Sequence, residues 1–191
     1  MKVIIVGGVA AGAGAAARLR RLDEQAEIIL LERGSYISFA NCGLPYHLGG
    51  VIPERDSLLV MTPERFRARF AVDVRVENEA VAIDREARRL TVRKADGSTY
   101  QESYDRLLLA TGSSPLRMEL PGGDDPAIHQ LWTIPDMERI LAGVGKGAKR
   151  ALVVGAGFIG LEVAENLRHR GLEVTVVELA PQVLPTVDKE M

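Results

Sequence analysis

Short unbroken apolar runs followed by glycine-rich turns mark both ends of the chain. Residues 3–6, 28–31, 107–110, 151–154 and 174–177 carry almost no polar interruption. Runs of that length without alternation predict strands buried on both faces of a parallel sheet. Between the first two lies an Ala- and Arg-rich stretch, 13–22, that predicts a helix, and 161–169 does the same between the last two, stopped by Gly171. The middle of the chain has another rhythm. Val72, Val74 and Val76, then Val81 and Ile83, then Leu90 and Val92 alternate with polar residues, and Asp96-Gly97 supplies a hairpin turn. The pattern predicts an antiparallel β-meander over 72–102. Ahead of it, Thr62, Pro63 and Glu64 read as cap, first position and first-turn acid of a helix. Residues 113–149 are rich in Pro and Gly and read as a linker with one short helix over 135–142.

The turns after the first and fourth apolar runs carry the chemistry. The first reads Gly7-Gly8-Val9-Ala10-Ala11-Gly12, and Glu32 ends the next strand 20 residues after Gly12. Strand, glycine-rich turn, helix, strand and terminal acid is the layout that binds the ADP half of a dinucleotide. The early glycine permits the tight turn, Gly12 lets the helix approach the strand, and the helix start offers free N–H groups to a pyrophosphate. Glu32 is expected to accept hydrogen bonds from ribose hydroxyls. Val9 stands where the motif has its second glycine, so its side chain should hold a pyrophosphate further off. A plain glycine-rich turn is the alternative reading. The second copy, Gly155-Ala156-Gly157-Phe158-Ile159-Gly160 with Glu178, is complete. An acid at that place accepts from a free 2′-hydroxyl and repels a 2′-phosphate, which favours NADH over NADPH. The fold class expected is α/β: two Rossmann-like units, the first (1–113) with the inserted meander, the second (linker and 114–191) truncated. Two such units need two dinucleotides, most economically a flavin on the first and a nicotinamide on the second.

Composition narrows the field. With 47% hydrophobic and 26% charged residues the chain is an ordinary globular protein, and a net charge of −2 gives no reason to expect nucleic acid or an anionic membrane. No stretch is apolar for the roughly 18 residues of a membrane span. His47, His129 and His169 show no ligand spacing, so no metal is expected. The single cysteine excludes a disulfide framework and fits a reducing cytoplasm. That cysteine lies in Ser38-Phe39-Ala40-Asn41-Cys42-Gly43-Leu44-Pro45-Tyr46, just after the first nucleotide unit. Asn41 is expected to cap a short helix beginning at Cys42, placing the sulfur at the end that favours an anion. A buried structural cysteine is the alternative. His47 reads as a packing residue near the thiol, and Arg65, Arg67 and Arg69 as a solvated helix face.

These motifs, with Leu109-Ala110-Thr111-Gly112, resemble the pyridine nucleotide-disulfide oxidoreductases that use a single active-site cysteine. The Ser-Phe-Ala-Asn-Cys run is similar to the coenzyme A-disulfide reductases and the NADH-dependent persulfide reductases. The resemblance implies FAD on Gly7, Val9, Ala10, Ala11, Gly12, Glu32, Arg33, Asn41, Thr111 and Gly112. It implies NAD(P)H on Gly155, Gly157, Phe158, Ile159, Gly160 and Glu178. Cys42 is then the nucleophile, Gly43 leaves room for the flavin ring, and Arg18, Arg21, Ser38 and Asn41 contact coenzyme A, Arg18 differing in type from its counterpart. CoA disulfide, CoA persulfide or polysulfide is the implied substrate. Sister groups, NADH peroxidase and NADH oxidase, cycle a lone cysteine through sulfenic acid but resemble this chain with a His at Ala10. A nucleotide-binding or thiol-sensing module without turnover is the reading from a different class. The family pattern also implies a homodimer formed through a domain beyond Met191, so the chain reads as an N-terminal part of a longer protein.

Overall fold

A computed structural model describes residues 1–116 and 119–188. In chain order its elements are β1 (Lys2–Val6), α1 (Ala11–Leu22), β2 (Glu27–Leu31), α2 (Leu44–Gly49), α3 (Pro63–Phe70), β3 (Asp73–Arg75), β4 (Asn78–Asp84), β5 (Arg89–Lys94), β6 (Thr99–Ser103), β7 (Arg106–Leu109), α4 (Ile134–Gly145), β8 (Arg150–Val154), α5 (Phe158–His169) and β9 (Glu173–Val177). They fall into two compact units. One is Met1–Phe39 with Leu59–Ser113, the other Ala40–Leu58 with Ser114–Met191. The split is therefore not contiguous: residues 40–58, cysteine included, group with the second unit, whereas the sequence pattern had placed them in 1–113.

In the first unit a parallel sheet runs in the order β3-β2-β1-β7. Because β1 and β2 are buried on both faces, their side chains divide between two cores. Val3, Ile5, Ile28 and Leu30 pack with Ala13, Ala16 and Phe66 on the side of α1 and α3. Ile4, Ile29 and Leu31 pack with Leu90 and Val92 of the meander on the other. Residue after residue is apolar because both directions lead into a core, and each such burial is worth about 1.5–3 kcal/mol. The meander is β4-β5-β6, antiparallel, with its turn at Gly97 (φ 83°). It is shorter than the alternation suggested. Val74 lies in β3, which pairs in parallel with β2, Val74 opposite Leu30. Period-two alternation cannot separate a parallel edge strand from an antiparallel one when the next turn is tight. β7 also departs from expectation: as the other edge of the sheet it leaves Leu108 and Leu109 exposed.

A charged network ties the meander to the sheet. Lys2 Nζ meets Glu102 at 2.5 Å and Glu27 at 3.2 Å. Arg75 meets Glu102 and Asp73, each at 2.6 Å, and donates to Tyr100 Oη at 3.1 Å. Tyr100 in turn donates to Asn78 Oδ1 at 2.9 Å. Burial pushes the Glu102 carboxyl up, but hydrogen bonds from Lys2 and Arg75 outweigh it and hold the group below the usual carboxylate range. The hydrogen bond to Glu102 in turn raises Lys2.

The second unit has a two-stranded parallel sheet, β8 with β9. Ala151, Val153 and Val174 face a core of Leu48, Leu167 and Leu172, joined by Ile140, Leu141 and Val144 of α4. Leu152, Val154 and Val177 point the other way and are exposed, where an unbroken apolar run had predicted burial on both faces. Thr133 and Asp136 form a reciprocal capping box that starts α4.

The network predicts a pH-dependent stability. A depressed carboxylate contributes above the pH where the unfolded group ionises, about pH 4, and the contribution fades as pH falls through its native value. Lys2 is raised by the same pair, so its contribution is lost as pH rises through its native value and, at the acid end, with the protonation of Glu102. Glu102→Gln is expected to cost about 1–3 kcal/mol at neutral pH, read by urea unfolding. The difference from wild type should shrink below about pH 4.

Candidate functional site

The first glycine-rich turn is shaped by close approach. Gly7 has φ 101° and donates its N–H to Leu31 O at 2.8 Å. A Cβ on Gly7 would lie 2.1 Å from Ala110 O, and one on Gly12 1.7 Å from Gly7 O. No other residue lets α1 begin this near to β1. Ala10 precedes the helix without a side-chain cap, which leaves the first N–H groups of α1 to a ligand. Glu32 is buried and its carboxylate bridges two loops. Oε2 accepts from Gly8 N–H and Oε1 from Gly34 N–H, both at 2.7 Å. The sequence reading gave this acid to ribose hydroxyls alone. Each oxygen keeps a second lone pair for that purpose. Ser38, in a left-handed conformation at φ 44°, donates its backbone N–H to Gly8 O at 3.0 Å. A cleft of about 120 Å³ brings Gly7, Glu32, Arg33 and Thr111 together with Asn78 and Glu79 of the meander. The last two were missed, since β4 is not sequence-adjacent to the motif. Gly112 lies beside Thr111 with φ 66°.

The second turn repeats this construction. Gly155 has φ 98° and donates to Val177 O at 2.8 Å. A Cβ on Gly160 would lie 2.0 Å from Gly155 O. Glu178 Oε2 accepts from Ala156 N–H at 2.6 Å and Oε1 from Ala180 N–H at 2.9 Å. Those two donors, Ala180 first, hold its carboxyl below the usual range. Leu184, at φ 46°, donates to Ala156 O at 2.9 Å. Ala156, Ala180 and Leu184 thus play the parts of Gly8, Gly34 and Ser38. Gly157 precedes α5 without a side-chain cap, and Phe158 and Ile159 of its first turn are exposed. The donor sets of both turns fit a dinucleotide: a cradle that any Cβ would fill, free helix-start N–H groups, and an acid at the strand end.

Cys42 is exposed. It sits in a 3₁₀ turn, Asn41–Gly43, that runs straight into α2. Asn41 does not cap a helix. Ala40 holds the preceding position, and Asn41 lies inside the turn with its C=O accepting from Leu44 N–H. Gly43 is closely approached: a Cβ there would lie 2.7 Å from Leu58 Cδ2 and would have to displace the end of that side chain. His47 is buried, its Nδ1 paired with Ile52 O at 2.7 Å. Ala40 N–H donates to Leu58 O at 2.8 Å and closes the segment on itself. Arg18 and Arg21 are exposed on α1, in the first unit. Arg20, between them, instead joins α1 to the end of α3 through Phe70 O and Ala71 O. Arg67 donates to Val74 O and Arg69 lies over the Phe70 ring, so two of the three cations of α3 serve the fold. Among the described residues no group of three His, Cys, Asp or Glu could hold a metal, and no helix is long and apolar enough to cross a membrane.

Two acid-anchored βαβ turns in series define a dinucleotide-fold protein of the oxidoreductase class. Residues 1–191 match the pyridine nucleotide-disulphide oxidoreductases, and the chain belongs to that family. A coenzyme A disulfide reductase of Staphylococcus epidermidis is 39% identical over 191 residues, which are 100% of this chain and 43% of that protein. An NADH oxidase of Methanocaldococcus jannaschii is 36% identical over 97% of this chain and 42% of its own length. Among solved structures, reduced CoADR-RHD of Bacillus anthracis superimposes with a TM-score of 0.96 at 51% identity, covering 99% of this chain and 34% of that one. A NAD-dependent persulfide reductase from A. fulgidus gives 0.96 at 39% identity, covering 100% and 36%. The chain spans less than half the length of these relatives.

The glycine geometry predicts opposite effects two residues apart. Gly12→Ala should lower the melting temperature, at a cost of about 1–3 kcal/mol or more. Gly14, with nothing within 4 Å of an added Cβ, should gain about 0.5–1 kcal/mol as alanine. Thermal unfolding of the two variants checks both.

Proposed function

We propose that this chain supplies the flavin site, the nicotinamide site and the thiol nucleophile of an FAD-dependent NAD(P)H oxidoreductase that reduces coenzyme A disulfide, CoA persulfide or polysulfide. The observation that carries the reading is the single exposed thiol, Cys42, presented on a closed segment in a chain with two acid-anchored dinucleotide turns. The names borne by the relatives support it. Residues 1–113 would hold FAD, through Gly7, Val9, Ala10, Ala11, Gly12, Glu32, Arg33, Thr111 and Gly112, with Asn41 from the thiol segment. Residues 114–191 would hold NADH, through Gly155, Gly157, Phe158, Ile159, Gly160 and Glu178. Arg18, Arg21, Ser38 and Asn41 would meet the coenzyme A, whose phosphates need cations. The same reading places the protein in a reducing cytoplasm as a homodimer.

When bound, FAD would provide the two-electron reduction of a disulfide, with NADH as the hydride source. Cys42 does the rest. Its thiolate attacks one sulfur of CoA disulfide, the S–S bond breaks, one CoA leaves as thiolate, and Cys42 remains in a mixed disulfide with the other. Two electrons reopen that bond and release the second CoA thiolate. With CoA persulfide, attack on the CoA-bound sulfur forms the same mixed disulfide and expels hydrosulfide. The oxidase among the relatives favours a second reading, in which Cys42 carries a sulfenic acid. Ala10 argues against it, because its methyl group has no proton to exchange with an oxygen intermediate.

Cys42→Ser in the flavin-loaded whole protein should lower disulfide turnover by about 1,000-fold or more while NADH still bleaches the flavin at a rate within about twofold of wild type. Retained disulfide turnover would overturn the assignment. Glu178→Gln, which keeps one acceptor oxygen but no charge, should narrow the NADH-to-NADPH ratio of kcat/KM by about tenfold, measured by steady-state kinetics with each cofactor.

A further inference from the structure

One helix serves two sites in the second unit. The start of α5 follows the glycine-rich turn Gly155–Gly160, and its end meets the segment that carries Cys42. Three contacts make that second junction. Leu48 of α2 is fully buried against Leu167 and Leu172. Gly49 lies so close to Asn166 that a Cβ would stand 2.0 Å from its Oδ1 and 2.9 Å from its Cβ. Asn166 is 3% exposed and donates its amide to Glu162 O at 2.8 Å, which fixes the side chain that Gly49 must clear. Arg170 then donates Nε–H to Leu48 O and an Nη2–H to His47 O at 3.5 Å. These are carbonyls of the last turn of a six-residue helix, which has few intrahelical partners of its own. Gly50, at φ 83°, ends α2 at that point.

We propose that Asn166 and Arg170 are positioning residues for Cys42, holding the thiol segment on the helix that also frames the nicotinamide-type turn. The proposal rests on the reading of Cys42 as the nucleophile. The mechanical argument is short. Cys42 lies six residues before Leu48, and the 3₁₀ turn Asn41–Gly43 passes into α2 without a break. A continuous helical rod of that length has no hinge to absorb a shift at its far end. Closure of the segment at Ala40 and Leu58 and the packing of Leu58 on Gly43 hold the near end. Loss of the Arg170 clamp leaves Leu48 and the Gly49–Asn166 contact as the remaining hold on the far end, so the rod shifts about them and the thiol moves with it. A misplacement of about 1 Å at a reacting atom costs up to about 100-fold in rate.

The test uses Arg170→Ala in the flavin-loaded whole protein, because Arg170 is an exposed residue whose loss leaves the apolar core untouched. Its kcat for CoA disulfide should fall by about 10- to 100-fold, with KM for NADH and the rate of flavin bleaching by NADH within about twofold of wild type. The rate of Cys42 alkylation by iodoacetamide should change by about threefold or more, and Arg170→Lys, with a single ammonium nitrogen in place of a fork, should recover part of both effects. Unchanged alkylation and turnover in Arg170→Ala would overturn the proposal, as would their change together with an equal loss of flavin bleaching. If Cys42→Ser keeps disulfide turnover, the nucleophile reading fails by itself, and the alkylation comparison still decides whether Arg170 positions the thiol.

Discussion

Both nucleotide turns depend on a carboxylate that binds the protein's own backbone. Glu32 bridges Gly8 and Gly34, and Glu178 bridges Ala156 and Ala180. A carboxylate accepting two N–H groups is a charge-assisted contact, stronger than its neutral equivalent. It fixes the glycine-rich turn and the loop after the next strand at a set separation before any ligand arrives. What a ribose would meet is an acid already oriented, so little ordering remains for the ligand to impose. The acid of this motif is usually described by what it does to a cofactor. Here its structural duty is equally plain, and it explains why the residue is buried in the first unit although it is charged.

Much of this was legible in the sequence. The glycines were, because a Cβ at Gly7, Gly12 or Gly160 has nowhere to go and the spacing records that. The capping signal at Thr62 was, because it acts within one turn. The acids Glu32 and Glu178 were found by position, but their bonds to Gly34 and Ala180 lie outside any motif. The errors share a cause, which is that local pattern does not report what lies across a face. Val74 alternates like a meander residue yet pairs with β2. Leu108 and Leu152 read as buried in apolar runs yet are exposed, Leu108 at a sheet edge and Leu152 on the face of β8 turned away from the core. Asn41 is a good cap in isolation, but the turn that contains it begins one residue early, and Ala40 takes the position instead.

The thiol segment is the largest departure. Residues 40–58 follow the first unit in sequence and pack with the second, through Leu48, Gly49 and the clamp from α5. The sequence could not show this, because the contacts join residues more than a hundred positions apart, such as Leu48 and Arg170. Gly43, expected to leave room for a flavin ring, also packs against Leu58, and His47 is the packing residue its position suggested, buried and paired with Ile52 O.

The pairing of Ala40 with Leu58 sets these residues apart in another way. Phe39 and Leu59 form an isolated antiparallel bridge, so the chain leaves and re-enters the first unit at neighbouring points. The sheet of that unit therefore sees the same two strand ends whatever happens between them. A change in the intervening stretch is therefore absorbed between those two points and leaves β1 and β2 in register. The stretch from Ala40 to Leu58 is thus a closed excursion, whose internal changes need not disturb the parallel sheet that it leaves and rejoins.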